Sequence, residues 1–333
     1  MHLARFPRQH FAHLPTPLEP MPNLTKLLGG PTLYIKRDDC TGLATGGNKT
    51  RKLEFLIGDA VANGADTLVT TGAVQSNHVR QTAAAACRFG LACEALLDRR
   101  VPDRDARYET TGNVLFDRMF GATLDYLPAG TDMDAACAER VESIRSRGGK
   151  PYYIPGGGSN TIGALGYVNA ALELLQQAND QSLRIDYVVH GTGSAGTQSG
   201  LVAGLEGANS GIDVLGMCVR QKDAKLQEAA VHRLASATAE KLGVKGGIDA
   251  GRVMANADYV GDGYGLPTEG TIEAIDLLAR HEGILLDPVY SAKGMAGLID
   301  QVRKGHFSKT DNIVFLHTGG ALALFAYEER WTR

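Results

Sequence analysis

Short runs of β-branched and other hydrophobic residues alternate along the chain with longer segments whose apolar residues recur every three to four positions. The short runs predict strands at residues 67–71, 152–155, 187–190, 214–219 and 312–317. The longer segments predict helices at residues 52–63, 79–89, 164–179 and 271–282. This alternation is typical of an α/β protein with parallel sheets covered by helices on both faces. Because ligands bind at the carboxyl ends of such strands, we expect the functional site in the loops that follow them.

The composition is that of a globular protein. The chain has 333 residues, of which 44% are hydrophobic and 21% charged, and its net charge is −3. This length is sufficient for two domains, and the balance of charge indicates neither a nucleic-acid partner nor a membrane partner. Five cysteines without zinc-site spacing predict a reduced, cytoplasmic protein with no metal site. No export signal is evident.

One lysine lies directly behind a pair of glycines where a predicted helix begins. Gly46 and Gly47 allow a tight turn, and Lys49 follows them with Arg51 and Lys52 close by. Neighbouring cations lower the pKa of a lysine, which leaves more neutral amine to form a Schiff base with an aldehyde cofactor. The alternative is a basic helix start that is simply solvated.

Loops after three predicted strands carry further candidate residues. Ser76 and Asn77 follow strand 67–71, where they either cap the next helix or present a hydroxyl and a carboxamide to a ligand. Residues 191–197 form a glycine-rich loop that opens a helix, which suits a single phosphate or a generic tight turn. A dinucleotide fits less well, since the expected acidic residue about twenty positions later is missing. Thr318 closes the last strand.

Seven motifs occur in one order over residues 4–327. They are GGNKTRKLE, GAVQSNHVRQTAA, PGGGSN, GTGSAGTQSGL, GYGLPTEG, LLDPVYSAKGMAGL and FLHTGGA. In these motifs the chain resembles the family of pyridoxal-phosphate (PLP) enzymes that contains D-cysteine desulfhydrase, aminocyclopropane-carboxylate deaminase and L-cysteate sulfo-lyase. The resemblance implies the tryptophan-synthase-β type of fold (fold type II), with a large PLP-binding domain of residues 1–48 and 161–333. It also implies a small inserted domain of residues 49–160, an amino-acid substrate and a homodimer.

The resemblance also implies roles for individual residues. Lys49 matches the Schiff-base lysine, Asn77 the partner of the cofactor phenolate, Thr318 the threonine at the cofactor ring, and Tyr290 a tyrosine at the cofactor and substrate. Ser76 matches the serine that contacts the substrate carboxylate or moves a proton. The phosphate loop corresponds to Gly193, Ser194, Ala195, Gly196 and Thr197. The expected catalytic residues are Lys49, Ser76, Tyr264 and Tyr290, and the expected substrate contacts are Ser76, Asn77, His78, Gly158, Tyr264 and Tyr290.

The substrate is predicted from departures within the family. Deaminase-like members have glutamate where this chain has Ser291, and a hydroxyl gives the cofactor ring weaker support than a carboxylate. Ring opening is therefore disfavoured relative to β-elimination. Segments 39–45, 218–220 and 258–264 resemble the L-cysteate branch, whereas segment 73–76 is close to the deaminase and desulfhydrase form.

We therefore expect elimination of L-cysteate to pyruvate, sulfite and ammonium, with D-cysteine desulfhydrase as the alternative and aminocyclopropane-carboxylate deaminase less favoured. Arg220 is either a sulfonate contact or a surface ion-pairing residue. A different class is also open, a non-catalytic phosphate- or nucleotide-binding protein in which Lys49 contacts only a phosphate.

Overall fold

The chain folds around two β-sheets, as seen in a computed structural model that describes residues 1–332. The strands are β1 Leu18–Pro20, β2 Thr32–Arg37, β3 Thr67–Ala73, β4 Ala92–Asp98, β5 Thr123–Leu127, β6 Pro151–Ile154, β7 Tyr187–Thr192, β8 Asp213–Cys218, β9 Val253–Asn256 and β10 Asn312–His317. The helices are α1 Pro22–Leu28, α2 Lys49–Ala62, α3 Asn77–Arg88, α4 Gly112–Met119, α5 Met133–Ser146, α6 Thr161–Asp180, α7 Gly196–Gly207, α8 Ala224–Leu242, α9 Glu269–Glu282 and α10 Ser291–Arg303.

The larger sheet has six strands in the order β1-β2-β10-β7-β8-β9, and the smaller has four in the order β5-β4-β3-β6. All neighbouring strands pair in parallel except β1 and β2. The predicted parallel sheets with helices on both faces are therefore confirmed, apart from this one antiparallel pair. Strand β1 is short, lies at the sheet edge and ends in Pro20, whose missing N–H is tolerated at an edge.

The two sheets draw on different parts of the chain. The smaller sheet uses residues 67–154 only, whereas the larger combines strands from both sides of that segment. Helix α2 packs against both α6 and α3. The approach of α6 to α2 requires glycine at position 166, because a Cβ there would lie 2.3 Å from the carbonyl oxygen of Arg51. The domain boundaries at residues 49 and 160 stay predictions.

The predicted strands and helices are all present, and their ends differ from the predicted ends by a few residues. Helix α2 begins at Lys49 rather than at residue 52, and α7 begins at Gly196. Within residues 1–332, no helix is both long enough and apolar enough to cross a membrane.

Candidate active site

A cavity of about 660 Å³ opens at the carboxyl ends of β3, β4, β6, β7, β8 and β10. It is lined by most of the residues singled out from the sequence, namely Lys49, Ser76, Asn77, His78, Gly193, Ser194, Ala195, Thr197, Tyr264, Tyr290 and Thr318. Two do not line it. Gly158 is buried behind His78, since a Cβ on Gly158 would lie 3.6 Å from the His78 ring, and Gly196 lies against Lys52. The substrate contact expected of Gly158 stays a prediction.

Lys49 is the first residue of α2 and follows a loop held in an unusual conformation. Four consecutive residues, 44–47, have positive φ angles. Glycine is required at position 46, because a Cβ there would lie 1.9 Å from the carbonyl oxygen of Asp39. The buried Arg80 guanidinium stabilises the loop by donating to the carbonyl oxygens of Ala44 and Gly46, each at 2.9 Å. The loop thus places Lys49 at the cavity, where burial lowers the pKa of its amine to about 8.

Lys52 is a site residue that the sequence did not single out for a role of its own. Its buried Nζ donates to the carbonyl oxygen of Gly157 at 3.1 Å. A Cβ on Gly196 would lie only 2.9 Å from the same Nζ, so this amine lies beside the first residue of α7. Burial and the nearby charge of Lys49 hold the pKa of Lys52 well below its usual value. Within residues 1–332 no carboxylate forms a salt bridge with Lys52, and the adjacent helix N-terminus also favours an anion.

Ser76 serves as the N-cap of α3 and also lines the cavity. Its Oγ accepts a hydrogen bond from the Val79 N–H at 3.3 Å. Gly72 gives this side chain room, because a Cβ at position 72 would lie 2.4 Å from Ser76 Oγ. Both interpretations of Ser76 are therefore compatible with its position.

Asn77 and His78 each leave one polar atom free beside the cavity. Asn77 Oδ1 and His78 Nδ1 are buried without a hydrogen-bond partner among residues 1–332. His78 Nε2 lies 2.8 Å from Thr70 Oγ1. Burial lowers the pKa of His78 well below its ordinary value, so the ring is neutral. Such groups usually pair with a polar ligand or water.

Tyr264 and Tyr290 form a pair at the cavity. Their hydroxyls contact each other, and the ring centroids are 5.6 Å apart at an interplanar angle of 71°. Burial raises the pKa of Tyr290 to about 12 and also raises the pKa of Tyr264 well above its usual value. Both hydroxyls therefore stay protonated at neutral pH. One O–H is used within the pair, and the other is available to donate to a ligand.

Ser291 does not line the cavity, although its hydroxyl was expected to face the cofactor ring. Its Oγ donates to Asp287 Oδ1 at 2.6 Å and accepts from the Asp287 N–H at 2.8 Å. Asp287 also accepts from the backbone N–H of Tyr290 at 2.9 Å. Ser291 and Asp287 thus form a local network that fixes the start of α10, whereas Thr318 does line the cavity.

Two arginines lie at the cavity, on opposite sheets. Arg220 follows β8, and Arg100 follows β4. The Arg100 Nε donates to Asp98 Oδ2 at 3.0 Å, and its guanidinium lies 5.6 Å from the centroid of the Tyr264 ring. Sequence reasoning missed Arg100, because only the folded chain brings this segment against Tyr264.

Comparison with known proteins identifies the cofactor. Residues 10–319 match the family described as pyridoxal-phosphate dependent enzymes. The chain belongs to this family. It is 47% identical to the D-cysteine desulfhydrase of Salmonella typhimurium over 98% of both chains. The crystal structure of an ACC deaminase homologue is similar with a TM-score of 0.90 and 37% identity, covering 99% of this chain and 98% of that one.

A more distant neighbour supports the fold alone. The crystal structure of the T.th. threonine deaminase has a TM-score of 0.62 at 21% identity, with 92% of each chain covered. The family match and the similarity to the desulfhydrase confirm the family resemblance. The family match together with this neighbour's fold confirms the fold-type-II prediction. The non-catalytic alternative was wrong, since the chain is a PLP-dependent enzyme.

The cavity has the polar groups that PLP requires. Beside the cavity, the buried amine of Lys52 lies against the first residue of α7, and an amine next to a helix N-terminus suits an anionic phosphate. The unpartnered oxygen of Asn77 and nitrogen of His78 point to a polar ligand. Lys49 offers an amine with a lowered pKa for covalent attachment. On these grounds the residues fit the cofactor.

Proposed function

We propose that this enzyme is a carbon–sulfur lyase that converts D-cysteine and water into pyruvate, sulfide and ammonium. The observation that carries the proposal is the 47% identity to a D-cysteine desulfhydrase over 98% of both chains. L-cysteate, the substrate first expected from the sequence, has less support. The three short segments that favoured it weigh less than similarity over the full length.

In this proposal Lys49 holds the cofactor covalently, while Lys52 and residues 193–197 hold its phosphate. Asn77 and Thr318 contact the ring. Bound PLP supplies an electron sink conjugated with the α-carbon of the amino acid. The chain's own contribution is to orient that carbon against a base and to exclude water from it.

Lys49 is the proposed general base once the substrate amine has displaced its Nζ from the cofactor. With its pKa lowered to about 8, a useful fraction of the amine is unprotonated at neutral pH and can take the α-proton at Nζ. Ser76 lies at the same cavity and is proposed to bind the substrate carboxylate or to assist this proton transfer. His78 is neutral and adds a hydrogen-bonding nitrogen rather than a charge.

The tyrosine pair suits a thiol leaving group. With an ordinary pKa of about 8.5, the cysteine thiol is protonated at neutral pH. A hydrogen bond to the departing sulfur stabilises the negative charge that develops on it as the carbon–sulfur bond breaks. Tyr264 and Tyr290 stay protonated and have one O–H to donate towards the departing sulfur. Sulfite leaves from L-cysteate as a stable anion and needs no such proton.

L-cysteate is the second candidate, and one observation favours it. Arg100 and Arg220 both line the cavity, and guanidinium groups bind sulfonate oxygens well. Arg100 is already bonded to Asp98, however, which reduces its availability for an anion. D-cysteine therefore remains the preferred substrate.

We also propose that the enzyme is a cytoplasmic homodimer. The five cysteines are all unpaired, as in a reducing compartment. Leu115 and Met119, one turn apart on α4, expose 45% and 71% of their surface, which suits burial against a second copy. Sedimentation of the holoenzyme tests the dimer, and a monomer at micromolar concentration would contradict it.

Product release from four amino acids tests the proposed reaction. The holoenzyme is given D-cysteine, L-cysteine, L-cysteate or aminocyclopropane carboxylate, and sulfide, sulfite, pyruvate and ammonium are measured. We expect the highest kcat/KM for sulfide from D-cysteine. Lys49→Ala with added PLP is the control for direct reaction of cysteine with the cofactor. A higher kcat/KM for sulfite from L-cysteate would reverse the substrate ranking.

A further inference from the structure

Lys293 is a buried lysine outside the cavity, and it connects the two segments that carry the tyrosine pair. It lies in the first turn of α10, three residues after Tyr290, and its side chain is fully buried. Its Nζ donates to the carbonyl oxygens of Val260 and Gly263, each at 2.6 Å. Both carbonyls belong to the irregular segment between β9 and α9, and Gly263 directly precedes Tyr264.

The partners of this ammonium are mainly neutral. Within residues 1–332 Lys293 forms no salt bridge, and Asp262 and Asp287 act on it only from a distance, opposed by Lys222. Burial lowers the pKa of Lys293 to about 8, because removal from water destabilises the charged form of the amine. A buried charge without a carboxylate partner is destabilising unless its hydrogen bonds are satisfied. The two carbonyls provide that satisfaction.

The segment around Tyr264 is held from two sides. On one side Lys293 binds the carbonyl of Gly263. On the other, the carbonyl of Gly265 accepts from Tyr327 Oη at 2.8 Å and from Arg104 Nη2 at 3.1 Å. The Tyr264 ring packs against a hydrophobic cluster and the Arg100 guanidinium, and its hydroxyl contacts that of Tyr290. The position of this hydroxyl depends on these contacts together with the backbone bonds on either side.

We propose that Lys293 is a positioning residue that sets the geometry of the Tyr264–Tyr290 hydroxyl pair. Through its hydrogen bonds, its ammonium connects the start of α10, next to Tyr290, to the backbone immediately before Tyr264. Without the ammonium, the Val260 carbonyl loses its partner, and the Gly263 carbonyl keeps only the 3.4 Å bond from the Leu266 N–H, so the segment before Tyr264 gains freedom. The consequence for catalysis rests on the proposed role of the two tyrosines in donating a hydrogen bond to the departing sulfur.

The first test replaces the ammonium with an apolar group of similar length. In the Lys293→Met holoenzyme we expect kcat for D-cysteine to fall roughly 10- to 100-fold while KM changes little, because a misplacement of about 1 Å in a reacting geometry can cost about 100-fold. The visible absorbance of the bound cofactor should stay as in the wild type, because Lys49 is untouched. Lys304→Met, on an exposed lysine just after the same helix, is the matched control and should behave as wild type.

Chemical rescue distinguishes positioning from a general structural role. In Lys293→Ala, methylammonium can enter the vacated space and donate to both carbonyls, so kcat should recover severalfold. Tetramethylammonium has the same charge but no N–H, and it should give no recovery. Tyr264→Phe, assayed in methylammonium, controls for reaction of the amine with the cofactor and should not recover.

Hydrogen exchange gives a readout that does not depend on substrate. Amides of residues 257–266 should exchange faster in Lys293→Met than in the wild type, while those of β10 stay unchanged. If Lys293→Met does not fold, Lys293→Gln supplies a neutral donor, and partial retention of kcat together with slow exchange would support the proposal.

The proposal would be overturned if Lys293→Met kept the kcat and the amide-exchange rates of the wild type. It would also be overturned if the variant lost both kcat and cofactor absorbance and methylammonium did not restore activity in Lys293→Ala. Failure of the wild type to act on D-cysteine would instead refute the proposed function, and the exchange result would still decide the role of Lys293.

Discussion

Replacing Ser76 with alanine separates its two possible roles. Ser76 caps α3 through a bond from the Val79 N–H and also lines the cavity beside Lys49. If it serves only as a cap, its loss weakens one helix start and leaves turnover nearly intact. If it binds the substrate or moves a proton, turnover falls while the fold is retained. We expect the second result.

The structure sets the size of each effect. Loss of an N-cap costs about 0.5–2 kcal/mol, and the 3.3 Å separation between Val79 N and Ser76 Oγ is long for a hydrogen bond. We therefore expect the lower half of that range, about 1 kcal/mol, in the free energy of unfolding. A hundredfold loss of kcat/KM corresponds to about 2.7 kcal/mol of transition-state stabilisation. The catalytic effect should exceed the effect on stability.

The assay measures both quantities on one protein. Denaturant unfolding and kcat/KM for D-cysteine are determined for Ser76→Ala and for a matched cap variant, Thr268→Ala. Thr268 caps α9 by accepting from the Thr271 N–H at 3.2 Å and does not line the cavity. Thr268→Ala should lose similar stability and keep its activity. Ser76→Ala with near-wild-type kcat/KM would refute the catalytic interpretation.

Three further predictions concern ionisable groups. In cofactor-free protein, the rate at which added PLP is trapped on Lys49 by borohydride should rise with pH and level off above about 8, because only the neutral amine attacks; a rise only near pH 10 would contradict the lowered pKa. Lys52→Gln should weaken PLP binding on the order of 100-fold, measured by absorbance titration, because a charged donor to phosphate is lost; unchanged affinity would remove Lys52 from the phosphate site. Asp117 is fully buried with both carboxylate oxygens unpartnered among residues 1–332, and burial raises its pKa to about 8. Because its folded pKa lies above its unfolded one, stability is lost as pH rises from about 4 through 8, so Asp117→Asn should gain stability over wild type at pH 9 but not at pH 4; equal unfolding free energies at both values would refute this.

The sequence predicted the loops of the site well, because each loop follows a strand whose pattern is clear. The polar residues after β3, β7 and β10 meet at one cavity because the carboxyl ends of parallel strands lie at one edge of each sheet. Strand β4 was not predicted. Its sequence, ACEALLD, is rich in residues that favour helices, and it is a strand because it pairs between β3 and β5.

Helix α10 was also missed, since glycines interrupt its pattern. Gly294 and Gly297 are required by close packing, because a Cβ on either would lie 2.7 Å from a neighbouring atom, the Gly191 nitrogen and the Met217 sulfur respectively. The hydroxyl of Ser291 was predicted to face the cofactor ring, and the structure differs from this prediction for a related reason. Its bonds to Asp287 depend on where α10 begins, and the motif alone does not show this.

In the proposed function, the charges of Lys49 and Lys52 on α2 couple cofactor binding to catalysis. Lys49 and Lys52 are three residues apart on one helix, so they share a face, and burial lowers the pKa of both. Two ammonium groups in this position repel each other, and without an anion at least one of them tends to lose its proton. A phosphate beside Lys52 and the start of α7 would restore the charge on Lys52 and compensate it locally. In the proposed function Lys49, which lies at the cavity itself, then remains the amine that exchanges protons with the substrate.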